Sequence, residues 1–337
     1  MGHEHGFLAV TFALTAASCG AVEYGGGSSN TGGADGGGAD AAGGSGTSVG
    51  HIVYTSNSHL YRIAARSGSA PEDLTAVLPG GAGAWGDLSP DGQWLVYAGD
   101  HGCSDYTECL MVVRTSDWST AVEVKPSGEI VHPVGRAAIA SGGGLVVYAV
   151  PGTTHAVDLF ATTRSGDTWS APISLTDGSD RAFNQLPRFS GDATQLVLDC
   201  GSDVYSQTGT TICEANRDGS GFRSLLDPWP AAGTPNERHH AGLAPDGSLV
   251  FEADADGERI WRLPPATAIP TVIGDYNDDN TPCVLPDGRV ASLYLGRAGG
   301  VGAHELKVMN LDGTDPLMLV TFASGDGITD IGLGCGL

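Results

Sequence analysis

Three histidines stand in segments that also hold carboxylate or amide side chains. His132 is isolated, His239 and His240 are adjacent, and the acidic pair Asp278–Asp279 follows further along the chain. Neutral imidazole and carboxylate are ordinary ligands of divalent metal ions. Adjacent residues of an extended segment point in opposite directions, so only one of His239 and His240 can face a common site. The candidate metal set is therefore His132, His240 and Asp279, with Ca²⁺ or Mn²⁺ as the ion.

A second motif, GTSVG at 46–50, fits the G-x-S-x-G pattern of hydrolase nucleophiles. That chemistry needs a strand before Ser48, a helix after it, and Asp and His partners in an α/β domain. The motif instead ends a stretch, 20–50, that consists almost only of Gly, Ala, Ser, Thr, Asn and Asp. Such a stretch has no apolar face to bury and is predicted to be a flexible tether. We interpret the motif as a chance match.

The remainder of the chain repeats a polar turn followed by an apolar strand. Further strand-sized pieces complete each repeat, and four strands per repeat at a spacing of about 40 to 55 residues are typical of β-propeller blades. Pro-Asp-Gly sequences such as Pro90-Asp91-Gly92 suit the tight bend between the first two strands. The apolar residues that precede the turns are the aligned positions of the repeat, namely Leu88, Ile139, Phe189, Leu243 and Val284.

The ends of the folded region predict a closed ring. HIVYTS, which begins at His51, matches the second strand of a blade and has no first strand before it. The closing segment GITDIGLGCGL aligns Ile331 with Leu88 and has no second strand after it. Pairing of these two ends would leave no exposed strand edge. The sequence therefore predicts an all-β, six-bladed propeller over 51–337, with four antiparallel strands per blade and the C-terminal strand inserted in the N-terminal blade.

The N-terminus predicts export. The apolar run 7–17 is too short to span a bilayer but has the length of a signal-peptide core. Ala16-Ala17-Ser18-Cys19 resembles a bacterial lipoprotein cleavage box, which would make Cys19 the lipidated N-terminus. The predicted organisation is then a signal peptide at 1–19, the tether at 20–50 and the propeller at 51–337. Ordinary secretion and an unprocessed N-terminus are the alternatives.

The other cysteines also indicate an oxidising compartment. Six remain once Cys19 is set aside, and an even number is expected where disulfides form. Two pairs can form locally, and ring closure would bring the last two together, although six cysteines allow many connectivities. The predicted bonds are Cys103–Cys109, Cys200–Cys213 and Cys283–Cys335.

The net charge of −23 excludes most polyanion-binding functions. Lys125 and Lys307 are the only lysines. Nucleic acids and anionic lipid surfaces both need clustered cations, so no nucleic acid is expected as a partner, and membrane contact is expected only through Cys19. Cationic partners or metal ions suit this charge better. The alternative, which the sequence favours, is that the acidity serves only solubility.

Residues that enter the innermost strands of a propeller line one mouth of its central channel, where loops commonly bind ligands. The residues that come up to seven positions before each aligned apolar residue include a set of polar side chains of mixed charge. The strands beside them are apolar. A binding site without metal and a solvated rim without any ligand are alternatives to the metal site. The predicted binding set is Trp85, His132, Arg136, Asn184, Gln185, Arg188, Arg238, His239, His240, Asp278, Asp279, Asn280, Asp326 and Asp330.

The pattern SPDGQWLVY, together with later segments such as LKVMNLDGTDPLMLVTF, resembles the WD-repeat-like blades of TolB-type six-bladed propellers over about 51–337. The resemblance is specific for the fold and weaker for function. Such blades occur in TolB, a periplasmic partner of the peptidoglycan-associated lipoprotein, in prolyl-oligopeptidase-like peptidases and in some oligogalacturonate lyases. The lyases hold a metal in a histidine-rich mouth, which the resemblance would place at the histidines of this chain.

Two functions of different classes follow from the sequence. The first is a monomeric binding module for a protein, peptide or glycan, held by a lipid anchor in the periplasm or at the outer membrane. The alternative is a metal-dependent polysaccharide lyase that uses the mouth histidines, and a purely structural envelope protein is a third. Binding is favoured over catalysis because no acid/base pair or metal triad has a convincing spacing, and the fold alone does not imply chemistry.

Overall fold

In the computed structural model, the described residues are 49–79, 81, 83, 85–99, 109–152, 155–202, 209–227, 237–254, 258–267, 269–274, 279–294, 304–323 and 333–337. They belong to one compact unit, Thr47–Leu337. The predicted signal peptide, with Cys19, and nearly all of the predicted tether lie outside the described residues. Within the described ranges every regular element is a β-strand, and none of them contains a helix long and apolar enough to cross a membrane.

Short strands of β-branched, aliphatic and aromatic residues alternate with Gly- and Asp-containing turns, as expected for an all-β chain. In chain order the strands are β1 His51–Ser56, β2 His59–Ala64, β3 Glu72–Asp73, β4 Gly86–Leu88, β5 Trp94–Gly99, β6 Cys109–Arg114, β7 Asp117–Glu123, β8 Ala138–Ile139, β9 Leu145–Pro151, β10 Val157–Ser165, β11 Thr168–Trp169, β12 Ile173–Ser174, β13 Phe183–Phe189, β14 Gln195–Gly201, β15 Thr211–Asn216, β16 Arg223–Ser224, β17 Arg238–Leu243, β18 Leu249–Ala253, β19 Arg259–Leu263, β20 Thr271–Val272, β21 Asp279–Val284, β22 Val290–Tyr294, β23 His304–Met309, β24 Leu317–Phe322 and β25 Gly334–Gly336.

The strands form antiparallel sheets that follow the order of the repeats. Four sheets have four strands each, in the orders β25-β1-β2-β3, β4-β5-β6-β7, β17-β18-β19-β20 and β21-β22-β23-β24. A nine-stranded sheet contains β8-β9-β10 and β13-β14-β15-β16, with β11 and β12 paired to β10. Its two parts meet at a single parallel pair, Val157 with Phe183. We call β4, β8, β13, β17, β21 and β25 the inner strands, because each is the first strand of its antiparallel run.

The Pro-Asp-Gly bends occur where the repeat predicts them. Gly92, Gly247 and Gly288 have φ values of 64°, 83° and 89°, a region that suits glycine. At the second of these turns the Asp246 carboxylate accepts the backbone N–H of Ser248 at 2.8 Å. Each turn therefore links an inner strand to the next strand of the same sheet.

Apolar side chains pack between successive sheets rather than within one central core. One cluster joins Val96 of β5 to Val146 of β9, and the clusters that follow continue from sheet to sheet along the chain. Another contains Ile52 of β1 together with Leu306 of β23, so the first and last sheets share a core. Burial of these faces stabilises the contact between sheets by about 25 cal/mol per Å² of apolar surface.

The C-terminal strand pairs with the N-terminal sheet, as predicted, but in a different register. Ile52 takes the place in β1 that Leu95 takes in β5, and its partner is Cys335. Leu95 pairs with Leu88, so Cys335 is the counterpart of Leu88 in the C-terminal strand. The prediction that Ile331 is this counterpart was wrong. The register follows from close packing, since a Cβ on Gly334 would lie 2.7 Å from the Asp87 Cα.

Two of the predicted disulfides are present. Cys200 is bonded to Cys213 on neighbouring strands, and Cys283 of β21 is bonded to Cys335 of β25. Cys109 is also disulfide-bonded, while Cys103, its predicted partner, lies outside the described residues. The Cys283–Cys335 bond ties the last full sheet to the strand that completes the first sheet.

Candidate functional site

Residues of the inner strands line one small cavity of about 40 Å³, which we call the axial cavity. Its lining includes the aligned residue of every inner strand, namely Leu88, Ile139, Phe189, Leu243, Val284 and Cys335. Along β13, Arg188 and Phe189 line this cavity, whereas Gln185 and Leu186 line a larger pocket. The inner strands therefore run from the larger pocket towards the axial cavity.

The larger pocket, which we call the mouth, has a volume of about 290 Å³. It lies at the start of the inner strands, where the repeat predicts a binding face. Its lining residues are Gly135, Gln185, Leu186, Glu237, His239, His240, Glu252, Glu258, Asn280 and Thr281.

Three inner strands carry a β-bulge at the mouth. Leu186, His240 and Thr281 have φ values of 50°, 55° and 50°, and the pairing register shifts at each of them. Each lies three residues before the aligned apolar residue of its strand. Left-handed conformations cost non-glycine residues about 1–3 kcal/mol and persist only where the surroundings enforce them. The mouth is therefore lined by backbone that the fold holds in a strained form.

Two buried carboxylates hold two of these bulges. Asp199 of β14 accepts the backbone N–H of His240 at 3.1 and 3.3 Å, and Glu252 of β18 accepts that of Thr281 at 2.8 Å. Asp199 and Glu252 occupy equivalent places in the second strands of their sheets, where β5 has Ala98. A carboxylate from one sheet thus fixes the bulge of the next inner strand.

The same carboxylates bind the two histidine rings. His239 Nδ1 lies 3.1 Å from Asp199 Oδ2, and His240 Nδ1 lies 3.2 Å from Glu252 Oε2. Burial lowers the pKa of His239, but the hydrogen bond and charge of Asp199, with the charges of Glu252 and Glu237, raise that pKa to about 9. Burial raises the pKa of Glu252, but His240 and the Thr281 N–H hold that pKa below its ordinary value. At neutral pH the His239 imidazolium therefore acts on the ionised Glu252 carboxylate.

The mouth has an excess of negative charge. Glu237 Oε2 lies 3.6 Å from His239 Nε2, and Glu258 Oε2 accepts the Asn280 amide at 3.2 Å. Glu237, Glu252 and Glu258 supply three carboxylates to the lining, which contains no Lys or Arg among the described residues. The protonated His239 offsets only part of this charge. A pocket with this balance of charge attracts cations.

The structure brings only part of the predicted binding set to the mouth. Gln185, His239, His240 and Asn280 line it. Trp85 is buried in an apolar cluster between sheets, and His132 lines a separate pocket of about 310 Å³.

The four other described members of that set are buried, and they are Arg136, Asn184, Arg188 and Arg238. Arg238, for example, donates to the Thr210 and Leu226 carbonyls. Asp278, Asp326 and Asp330 lie outside the described residues, as does the side chain of Asp279.

The candidate metal set is not assembled by the described side chains. His132 and His240 line different pockets. Among the residues that the structure describes, no group of three or more His, Cys, Asp and Glu side chains is arranged to hold a metal ion.

The predicted binding set did not include Asp199, Glu237, Glu252 and Glu258. The signal for two of them is an acid at the last position of QLVLD and SLVFE, where the aligned segments WLVYA and LVVYA have alanine. A carboxylate at a position that is otherwise apolar needs a buried partner. Comparing the repeats at this position would have indicated the site.

No protein-family profile and no curated protein sequence matches the chain. Among solved structures, TolB from Acinetobacter baumannii matches 85% of this chain with 13% identity and a TM-score of 0.58. A protein assigned as TolB from Agrobacterium tumefaciens matches 84% of this chain and 92% of its own length, with 15% identity and a TM-score of 0.58. An oligogalacturonate lyase in complex with manganese matches 78% of this chain and 74% of its own, with 15% identity and a TM-score of 0.49.

These similarities bear on the fold. The described chain is a TolB-like β-propeller, which agrees with the resemblance seen in the sequence. The chain spans 66% of the length of A. baumannii TolB. At these identities the fold is shared, and function has to be argued from the mouth itself.

Proposed function

We propose that this TolB-like propeller is a binding module of the bacterial cell envelope whose mouth accepts a positively charged group of a protein or peptide partner. The observation that carries the proposal is the set of three carboxylates, Glu237, Glu252 and Glu258, in a pocket whose described lining has no Lys or Arg. The chain as a whole carries a net charge of −23, which would also attract a basic partner.

The proposed architecture is six blades in a closed ring. In support, residues of all the inner strands line one axial cavity, and β25 pairs with β1. The proposed domain organisation is a signal peptide at 1–19, a tether at 20–50 and the propeller at 51–337. Lipidation at Cys19 would hold the monomeric propeller in the periplasm or at the outer membrane, and the tether would act as a spacer.

A preformed mouth favours binding. Asp199 and Glu252 already hold the bulges at His240 and Thr281 in the free protein. The free-energy cost of ordering this backbone is therefore met when the chain folds and not when a partner binds. An ammonium or guanidinium group that enters would form charge-assisted hydrogen bonds with the rim carboxylates Glu237 and Glu258. These bonds are shorter and stronger than neutral ones, and the rim would therefore select basic side chains over neutral ones.

The lyase alternative requires a metal held by the histidines. His132 and His240 line different pockets, and His240 Nδ1 already lies 3.2 Å from Glu252 Oε2. A binding module needs neither a metal nor a neutral imidazole at this place. We therefore keep binding as the proposed function, with metal content as the measurement that separates the two.

The test compares short peptides on the purified propeller. A Lys-rich peptide should bind, and a Glu-rich peptide of equal length should not. Glu237→Gln with Glu258→Gln should weaken binding of the Lys-rich peptide about tenfold, because two charge-assisted contacts are lost. The control removes the same charge from exposed turns elsewhere, with Asp167→Asn and Asp177→Asn, and should change the Kd less than twofold.

Two outcomes would overturn the proposal. Equal weakening in both double variants would mean that only the overall charge attracts the peptide. Stoichiometric metal in the purified chain that is lost on His240→Ala would favour the lyase alternative instead.

A further inference from the structure

Tyr97 of β5 and Tyr148 of β9 occupy the same place in their repeats. Each lies two residues after the residue that pairs with the aligned position, which is Leu88 in one sheet and Ile139 in the other. Both tyrosines are buried, at 0% and 3% exposure, and each packs in the apolar cluster that its sheet shares with the preceding one. The two rings therefore have equivalent positions, and differences between them come from the loops around them.

The two hydroxyl groups differ in their hydrogen bonding. The Tyr97 hydroxyl donates to the carbonyl of Pro79, in the segment that leads into the inner strand β4, at 3.1 Å. Among the described residues, none accepts a hydrogen bond from the Tyr148 hydroxyl. A buried tyrosine hydroxyl usually has a partner, because an unpaired polar group in apolar surroundings costs free energy. Burial raises the pKa of Tyr148 to about 12, so this hydroxyl remains a donor at neutral pH.

A pocket of about 310 Å³ lies beside Tyr148, and we call it the side pocket. Residues of the segment that leads into β8 line it, in the place where Pro79 meets Tyr97 in the preceding repeat. The Tyr148 and Phe160 rings are stacked, with centroids 6.4 Å apart. The ring and aliphatic residues of the lining are Pro126, Ile130, Tyr148, Val150, Phe160 and Pro172.

The side pocket is open to solvent and large enough for a ring. Glu129 and His132 also line it, and both are exposed. Its volume is about twice that of an apolar cavity that holds benzene, about 150 Å³. A pocket with a stacked aromatic wall and one unpaired donor suits an uncharged ring that carries a hydrogen-bond acceptor.

The side pocket and the mouth are neighbours along the chain. His132 lines the side pocket, and Gly135, three residues later, lines the mouth. Three residues span at most about 11 Å even when fully extended. A peptide in the polyproline conformation rises about 3.1 Å per residue, so about three or four of its residues would reach from one to the other.

Building on the proposed function of the mouth, on which this inference rests, we propose that the side pocket binds a proline residue of the same peptide whose basic group enters the mouth. The Tyr148 hydroxyl would donate to a carbonyl of that peptide. Grooves lined by aromatic rings bind proline-rich segments, whose extended conformation is already formed in solution. Proline brings a carbonyl acceptor and no backbone N–H, so one hydroxyl donor suits it among apolar side chains. The partner would carry proline and a basic residue about three or four positions apart.

The test measures fluorescence anisotropy of labelled peptides on the whole chain. Each peptide has one lysine and one proline about four positions apart, in either order, with alanine elsewhere. Replacing the proline by alanine should raise the Kd about fivefold in one of the two orders, because one hydrogen bond and the ring contact are lost. Dependence on lysine without dependence on proline would overturn the side pocket and leave the function of the mouth in place. Dependence on proline without dependence on lysine would support the side pocket and contradict the function proposed for the mouth.

Two matched variants locate the effect. Tyr148→Phe removes only the hydroxyl and should weaken the proline peptide about fivefold without changing the Kd of its alanine counterpart. Tyr97→Phe, at the equivalent tyrosine, should change neither Kd. An unchanged preference for proline in Tyr148→Phe would overturn the assignment.

Thermal unfolding of the same variants checks the unpaired hydroxyl itself. Tyr97→Phe should lower Tm, because it removes the hydrogen bond to the Pro79 carbonyl. Tyr148→Phe should leave Tm unchanged or higher. An equal loss of Tm in the two variants would mean that the Tyr148 hydroxyl already has a partner within the protein, and the side pocket would then lose its donor.

Discussion

Removal of the Cys283–Cys335 disulfide should destabilise the propeller more than removal of Cys200–Cys213. The first bond closes a loop of 52 residues and the second a loop of 13. A cross-link restricts the unfolded chain more as its loop lengthens, which gives about 4 kcal/mol for the first and about 3 kcal/mol for the second. The Cys283→Ala, Cys335→Ala variant also frees β25, which has only three paired residues on β1.

Urea unfolding followed by tryptophan fluorescence measures the difference, with the Cys200→Ala, Cys213→Ala variant as matched control. Both pairs are buried on strands, so the two variants remove similar side chains. Hydrogen exchange adds a local readout. Amides of β1 should lose protection in the first variant and keep it in the second, because only the first releases the neighbour of β1.

Equal losses of stability in the two variants, or a larger loss in the Cys200–Cys213 variant, would show that loop length does not set the contribution of these disulfides. Unchanged protection of β1 in the first variant would show that β25 stays paired without its disulfide. Closure would then depend on packing and hydrogen bonds alone.

Two further predictions concern the mouth and the closing strand. The pKa of His239 is about 9 in the folded chain against an ordinary value of 6.5, so its protonation stabilises the fold fully below pH 6.5, and up to about 3 kcal/mol is lost as pH rises towards 9. NMR titration should find that Asp199→Asn returns this pKa towards 6.5, and a pKa still near 9 in that variant would contradict the assigned cause. Gly334→Ala should cost about 1–3 kcal/mol in urea unfolding, because its Cβ would lie 2.5 Å from Val53 Cγ2. Gly144→Ala, whose Cβ meets nothing within 4 Å, should cost little, and equal losses in the two alanine variants would reject the steric argument.

The repeat predicted the strand order because its turns have strict chemistry. Pro-Asp-Gly needs a positive φ at glycine, and apolar runs of β-branched residues follow it, so each bend and second strand could be located. The C-terminal register could not be read this way. GLGCGL has few apolar residues, and its placement depends on close approach to Asp87 and Ser89, which only the folded neighbours define.

Part of the predicted binding set lines the mouth, and the other described members of the set lie elsewhere. Reading back along each inner strand located the mouth, yet alternate residues of a strand point to opposite faces. Arg238 therefore turned inward to bond carbonyl groups, while His239 and His240 both reached the mouth because a bulge breaks the alternation. The carboxylates Asp199 and Glu252 come from the neighbouring second strands, which a search confined to the inner strands omits.

A crystal structure of the chain with a bound Lys-containing peptide would show whether the mouth receives a cationic group. We expect a lysine ammonium between the Glu237 and Glu258 carboxylates, at charge-assisted hydrogen-bond distances of about 2.7–2.9 Å. A peptide bound away from the mouth, or a metal ion on His240 in its place, would contradict it.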